Sequence, residues 1–107
     1  MIELTKKNFD EEVLESEGLV FVDFWSESCV PCKALMPFVH EMAEKYKDDL
    51  KFCSLDITKG RRAAIKVGVL GLPAMLIFKD GEKIDELGKD DANEENIEAM
   101  IKRNINK

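Results

Sequence analysis

An apolar run that breaks off just before two cysteines constrains this chain more than any other feature. Leu19-Val20-Phe21-Val22-Asp23-Phe24-Trp25 reads as a buried strand. It does not alternate between apolar and polar residues, so both of its faces must be covered, which calls for a sheet with helices on two sides. Asp23 is its one polar residue. After the polar break Ser26-Glu27-Ser28, Cys29 and Cys32 stand three apart at the head of a helical pattern. At that spacing in a first helical turn, two α-carbons lie within the range a disulfide can bridge. The start of a helix also leaves backbone N–H groups unpaired and carries partial positive charge, both of which favour a thiolate. The stretch can therefore hold a thiolate, close a small disulfide and reopen it.

The rest of the chain reads as support for that stretch. Residues 2–5 form a short strand. Asn8 is placed to cap a helix whose apolar positions are Phe9, Val13 and Leu14. A helix over residues 29–46 carries the stripe Leu35, Phe38, Val39, Met42, Ala43 and Tyr46, with Pro37 inside it and expected to kink it. Residues 51–57 form a second buried strand, and residues 59–67 a short basic helix. Residues 74–78 and 82–87 pair as a hairpin around Asp80-Gly81. A last helix starts near Asn93, with Ile97, Met100, Ile101 and Ile105 on its apolar face. This order predicts one α/β domain over residues 1–107, with a mixed central sheet of about five strands flanked by about four helices.

Composition narrows the function. The 107 residues, 45% of them hydrophobic, suffice for one packed core. A net charge of -6 argues against nucleic acid or an anionic membrane as partner. No run approaches the ~20 apolar residues of a membrane span, and the first residues show no apolar signal core behind a basic end. The expectation is a cytoplasmic monomer. Three cysteines are too few for a secreted disulfide framework, and in a reducing compartment a close pair points to catalysis or metal rather than to structure. The metal reading has little behind it. Structural zinc takes four ligands, and Cys29, Cys32, His40 and Cys53 follow no familiar zinc spacing.

The stretch 22–33 resembles the active-site segment of the thioredoxin family, usually WCGPCK. Gly71-Leu72-Pro73-Ala74 and Phe78-Lys79-Asp80-Gly81-Glu82 are similar to that family's cis-proline loop and hairpin. The resemblance spans nearly the whole chain and implies a thioredoxin fold. It also implies a protein dithiol–disulfide oxidoreductase that carries electrons from a thioredoxin reductase to client proteins, with no bound cofactor and no metal. A disulfide oxidase or isomerase of the same fold, and a non-catalytic binding subunit, are the competing readings.

Cys29, at the helix mouth, is the candidate nucleophile, and Cys32, one turn deeper, the candidate resolving thiol. Asp23 is expected to be buried with a raised pKa, and resemblance makes it the group that activates Cys32. Trp25, Val30, Pro31, Leu72, Pro73 and Gly88 are the expected client-contacting residues, with the Leu72–Pro73 bond cis by resemblance. Trp25 reads equally as an apolar anchor beneath the loop. Three positions depart from the family. Ser28 replaces an exposed Trp, Val30 replaces the Gly between the cysteines, and Ser54 stands where a buried Lys usually faces the acid. Such changes are similar to those in thioredoxins that serve glycine-reductase systems of some anaerobes. Lys59, Arg61 and Arg62 read as a solvated face, His40 as exposed, and Cys53 as a small buried hydrophobe.

Overall fold

A computed structural model describes residues 1–106. Five strands form one sheet in the order β1-β3-β2-β4-β5: β1 (Ile2–Leu4), β2 (Leu19–Trp25), β3 (Lys51–Asp56), β4 (Ala74–Lys79) and β5 (Glu82–Leu87). β1, β3 and β2 run parallel, while β4 is antiparallel to both β2 and β5. The helices are α1 (Val30–Lys45), α2 (Arg61–Lys66) and α3 (Glu94–Ile105).

β2 lies at the centre of the sheet, as its two-sided hydrophobicity requires. Val20, Val22 and Phe24 point into a core closed by Phe9, Val13, Ala64 and Val69. Phe21 points into a second core built from Val39 and Met42 of α1 and Ile97, Met100 and Ile101 of α3. Each of these large side chains is withdrawn from water and stabilises the fold by about 1.5–3 kcal/mol. The expected apolar faces of α1 and α3 are thus the faces used. Asn93 caps α3 through a bond from the Asn96 N–H of 2.8 Å.

Two local expectations are corrected. Asn8 caps no helix. Its side-chain oxygen accepts from the Thr5 N–H at 2.7 Å, and its amide donates to the Glu3 carbonyl. The segment after it is a five-residue π-helical turn, Asp10–Leu14, with Phe9 at its cap position and no side-chain cap bond. A turn-forming Asn with a nearby free N–H satisfies it locally, and the pull of Phe9 into the core sets the start of the turn. The basic helix also starts late. A 3-10 turn, Ile57–Lys59, comes first, and Gly60 separates it from α2. A Cβ at Gly60 would sit 2.9 Å from Leu55 Cδ1, so a side chain there would have to displace the buried Leu55 methyl.

Candidate active site

The site forms where β2 leaves the sheet. The loop after Trp25 turns on a bond from the Cys29 N–H to the Ser26 carbonyl, 3.1 Å. Ser26 is buried, and its hydroxyl lies 3.3 Å from that of Ser28. Cys29 is the cap residue of α1, in extended conformation, and its sulfur accepts from the Cys32 N–H at 3.3 Å. A thiolate at this position therefore receives a backbone hydrogen bond as well as the field of the helix end. Pro31 falls in the first turn, where a missing N–H leaves no partner short. Cys29 and Cys32 are joined as a disulfide with α-carbons 5.3 Å apart. The two differ in access: Cys29 is partly exposed, whereas Cys32 is only 1% exposed.

Asp23 lies two residues before the end of β2, on the sheet face that α1 and α3 cover. It is 1% exposed. Neither carboxyl oxygen has a hydrogen-bond partner among the described residues. Burial alone raises its pKa from 3.8 to about 7. Its neighbours in register are Ser54 on β3 and Met75 on β4. Ser54 is itself buried, so the flanking strands bring one neutral hydroxyl and one thioether to the carboxyl, and no cation.

Pro73 is buried, and the Leu72–Pro73 peptide bond is cis. Ala74 pairs with Phe24, which sets Pro73 beside the point where β2 becomes the cysteine loop. On the other side of β4, Leu87 pairs with Met75, so Gly88 comes to the same end of the sheet. The Gly88 carbonyl accepts from the Asp91 and Ala92 N–H groups. Trp25 is half-buried and lines a cavity of about 400 Å³ with Lys33, Met36, His40 and Ser54. Val30 is 77% exposed. The fold thus gathers Cys29, Cys32, Trp25, Val30, Pro31, Leu72, Pro73 and Gly88 at one end of the sheet, with Asp23 inside it.

Two features escape a reading of the sequence. Leu70, in the loop before Pro73, is 90% exposed; an apolar residue between Gly68 and Gly71, with no periodic partner, was its only signal. The second is an exposed ion pair beside the cysteines, in which the Lys33 ammonium meets the Glu27 carboxylate at 2.9 Å. Cys53 is fully buried on the opposite sheet face from Asp23, and burial pushes its thiol up to about 11, which disfavours the thiolate. His40 is exposed on α1. No three His, Cys, Asp or Glu side chains are grouped to hold a metal among the described residues.

Residues 1–103 match the sequence profile of the thioredoxin family. The chain is 57% identical over 105 residues to the thioredoxin of Acetoanaerobium sticklandii, covering 98% of this chain and 100% of that relative. It is 48% identical to the thioredoxin of Peptoclostridium acidaminophilum, over 98% of this chain and 96% of that one. Thioredoxin C-2 of Corynebacterium nephridii is 36% identical over the same shares. The chain belongs to the thioredoxin family.

A thioredoxin is a dithiol–disulfide oxidoreductase, and the same holds for this chain. Its chemistry needs no prosthetic group, because the two electrons it carries reside on sulfur. The oxidase, isomerase and non-catalytic binding-subunit readings are not favoured by relatives so similar over nearly all of the chain.

Proposed function

We propose that the protein takes two electrons from a thioredoxin reductase and delivers them to disulfides of client proteins in the cytoplasm, with Cys29 attacking, Cys32 resolving and Asp23 handling the proton. In the dithiol form, the Cys29 thiolate attacks a client sulfur. A Cys29–client bond forms, the client S–S bond breaks, and the first client sulfur leaves and takes up a proton. The Asp23 carboxylate then accepts the Cys32 proton. Cys32 attacks the Cys29 sulfur, the Cys29–Cys32 bond forms as the Cys29–client bond breaks, and the second client sulfur leaves as a thiolate and takes up the proton that Asp23 returns. The client gains two electrons and two protons, and the protein is left as the disulfide. An acid whose pKa is about 7 is half ionised near neutral pH, the condition under which it both accepts and returns a proton readily. Client backbone would lie along Leu72–Pro73, with Trp25, Val30, Pro31 and Gly88 around it. A buried Cys53 is consistent with a compartment that keeps lone thiols reduced.

The observation that carries this reading is the unequal exposure of the two cysteines. A client disulfide reaches only the sulfur that water reaches. The test is trapping. The Cys32→Ser variant, mixed with a disulfide protein, is expected to accumulate a stable mixed disulfide on Cys29. The Cys29→Ser variant is expected to accumulate none. Mass spectrometry that finds adducts mainly on Cys32 reverses the assignment.

A further inference from the structure

Five cations meet in one groove at the active-site end of the sheet. Lys6 and Lys7 follow β1, Lys59 closes the 3-10 turn, and Arg61 and Arg62 open α2. Together they line a groove of about 630 Å³ whose walls include no Asp or Glu. A bond from the Lys6 N–H to the Lys59 carbonyl, 3.0 Å, holds the two segments together. All five side chains are exposed, and none is in an ion pair among the described residues. Seven other Lys and Arg side chains do find an acid within 4 Å. In a chain with 22 Asp and Glu against 16 Lys and Arg, five grouped and unpaired cations are a local reversal of the charge, and such a patch attracts the opposite sign.

The groove shares the disulfide's end of the sheet. β1 and β3 run parallel to β2, so their C-terminal ends, which the groove occupies, share an end of the sheet with the Cys29 loop. Arg61 also lines a second, smaller cavity of about 220 Å³, bounded by Ile65, Leu70 and Leu72. Ile65 and Leu70 are 57% and 90% exposed. A continuous path therefore leads from the Leu72–Pro73 loop across an apolar saddle to the cations.

We propose that this groove docks an acidic segment of the protein whose disulfide is exchanged at Cys29. The proposal rests on the client-reduction reading above and adds the charge of the partner. A protein segment fits better than a small anion, because the cations are solvated and no buried polar side chain waits to hold phosphate. It fits better than nucleic acid, because a long polyanion would run off the groove onto the rest of a chain that carries 22 acids against 11 further cations. Cations at the rim of an interface act mainly by speeding encounter and selecting partners.

The test uses the dithiol form and two synthetic peptides that share one disulfide. One carries a flexible linker and a run of glutamates; the other carries glutamines in their place. At low ionic strength the glutamate peptide is expected to be reduced about fivefold faster, the summed effect of a few exposed charge pairs. The Lys59→Gln/Arg61→Gln/Arg62→Gln variant is expected to lose that advantage while reducing the glutamine peptide at an unchanged rate. Lys6→Gln/Lys7→Gln, which alters the groove from its other wall, is expected to give the same result. A control, Lys47→Gln/Lys79→Gln/Lys102→Gln, removes as many cations elsewhere as the Lys59/Arg61/Arg62 variant does and is expected to keep the advantage. The proposal is overturned if the two peptides react equally, if the control variant loses the advantage equally, or if a short oligonucleotide competes where the glutamate peptide gains nothing. A protein that reduces neither peptide fails the client-reduction reading instead.

Discussion

Replacing Asp23 by Asn removes the one buried ionisable group of the central strand at almost constant volume. In the folded protein the Asp23 pKa rises from 3.8 to about 7 because burial disfavours the charged form. The sign follows. Below pH 3.8 the carboxyl is neutral both folded and unfolded, and the penalty is absent. Between 3.8 and about 7 the unfolded chain releases the proton while the folded one retains it, so stability falls by about 1.4 kcal/mol per pH unit. Above about 7 both states are ionised and the penalty levels off at about 4 kcal/mol. The group is 1% exposed and no partner offsets the penalty, so solvent screening takes little from this figure. Guanidinium unfolding of the oxidised wild type and of Asp23→Asn, followed by Trp25 fluorescence, measures it. The variant is expected to be the more stable at pH 7, with the gap widening from pH 4 to 7 and constant beyond. Its rate of disulfide exchange is expected to fall, since the proton acceptor is gone. A stability difference that does not change between pH 4 and 8 refutes the reasoning.

Asp85 titrates in the opposite sense. The Arg103 guanidinium, bonded to it at 2.7 and 2.9 Å, holds its carboxyl below 3.8, with help from the Asn104 amide at 2.8 Å. Asp85→Asn is expected to destabilise the protein by about 1 kcal/mol at neutral pH, a difference that closes as acid protonates the wild-type group below its unfolded value; a gap that persists at pH 2 contradicts the ion pair as its cause. Gly81 has φ 84°, and a Cβ there would run into the Leu14 carbonyl. Gly81→Ala is therefore expected to cost about 1–3 kcal/mol in thermal or denaturant unfolding, and an unchanged midpoint would show that the turn relaxes freely. Val30, 77% exposed beside the disulfide, is expected to touch clients: Val30→Gly should lower kcat/KM for a protein disulfide by about threefold to tenfold and leave reduction of a small aromatic disulfide unchanged. Equal loss on both substrates would place the effect in the chemistry.

Much of the site was legible because it is local. The spacing of Cys29 and Cys32 and the proline between them determine a helix start bearing a disulfide, whatever packs around it. The uninterrupted apolar run of β2 determines that it is central and covered on both faces, and hence that Asp23 is buried. Asp80-Gly81, with φ of 51° and 84°, makes the tight turn its dipeptide announces. These properties depend on residues within a few positions of one another. The tertiary structure alone decided which distant residues meet. Register between β2 and β3 set Ser54 against Asp23, leaving the carboxyl with no cation from either flanking strand. Parallel pairing of β1 with β3 carried Lys6 and Lys7 to Lys59, Arg61 and Arg62, so that the solvated basic face also forms the wall of a groove. Asn8 lost its cap role and Asn104 was drawn into the interior by contacts that no local pattern encodes. Periodicity reports which face of an element is apolar; sheet register and strand order, set by closure of the whole core, determine what that face meets.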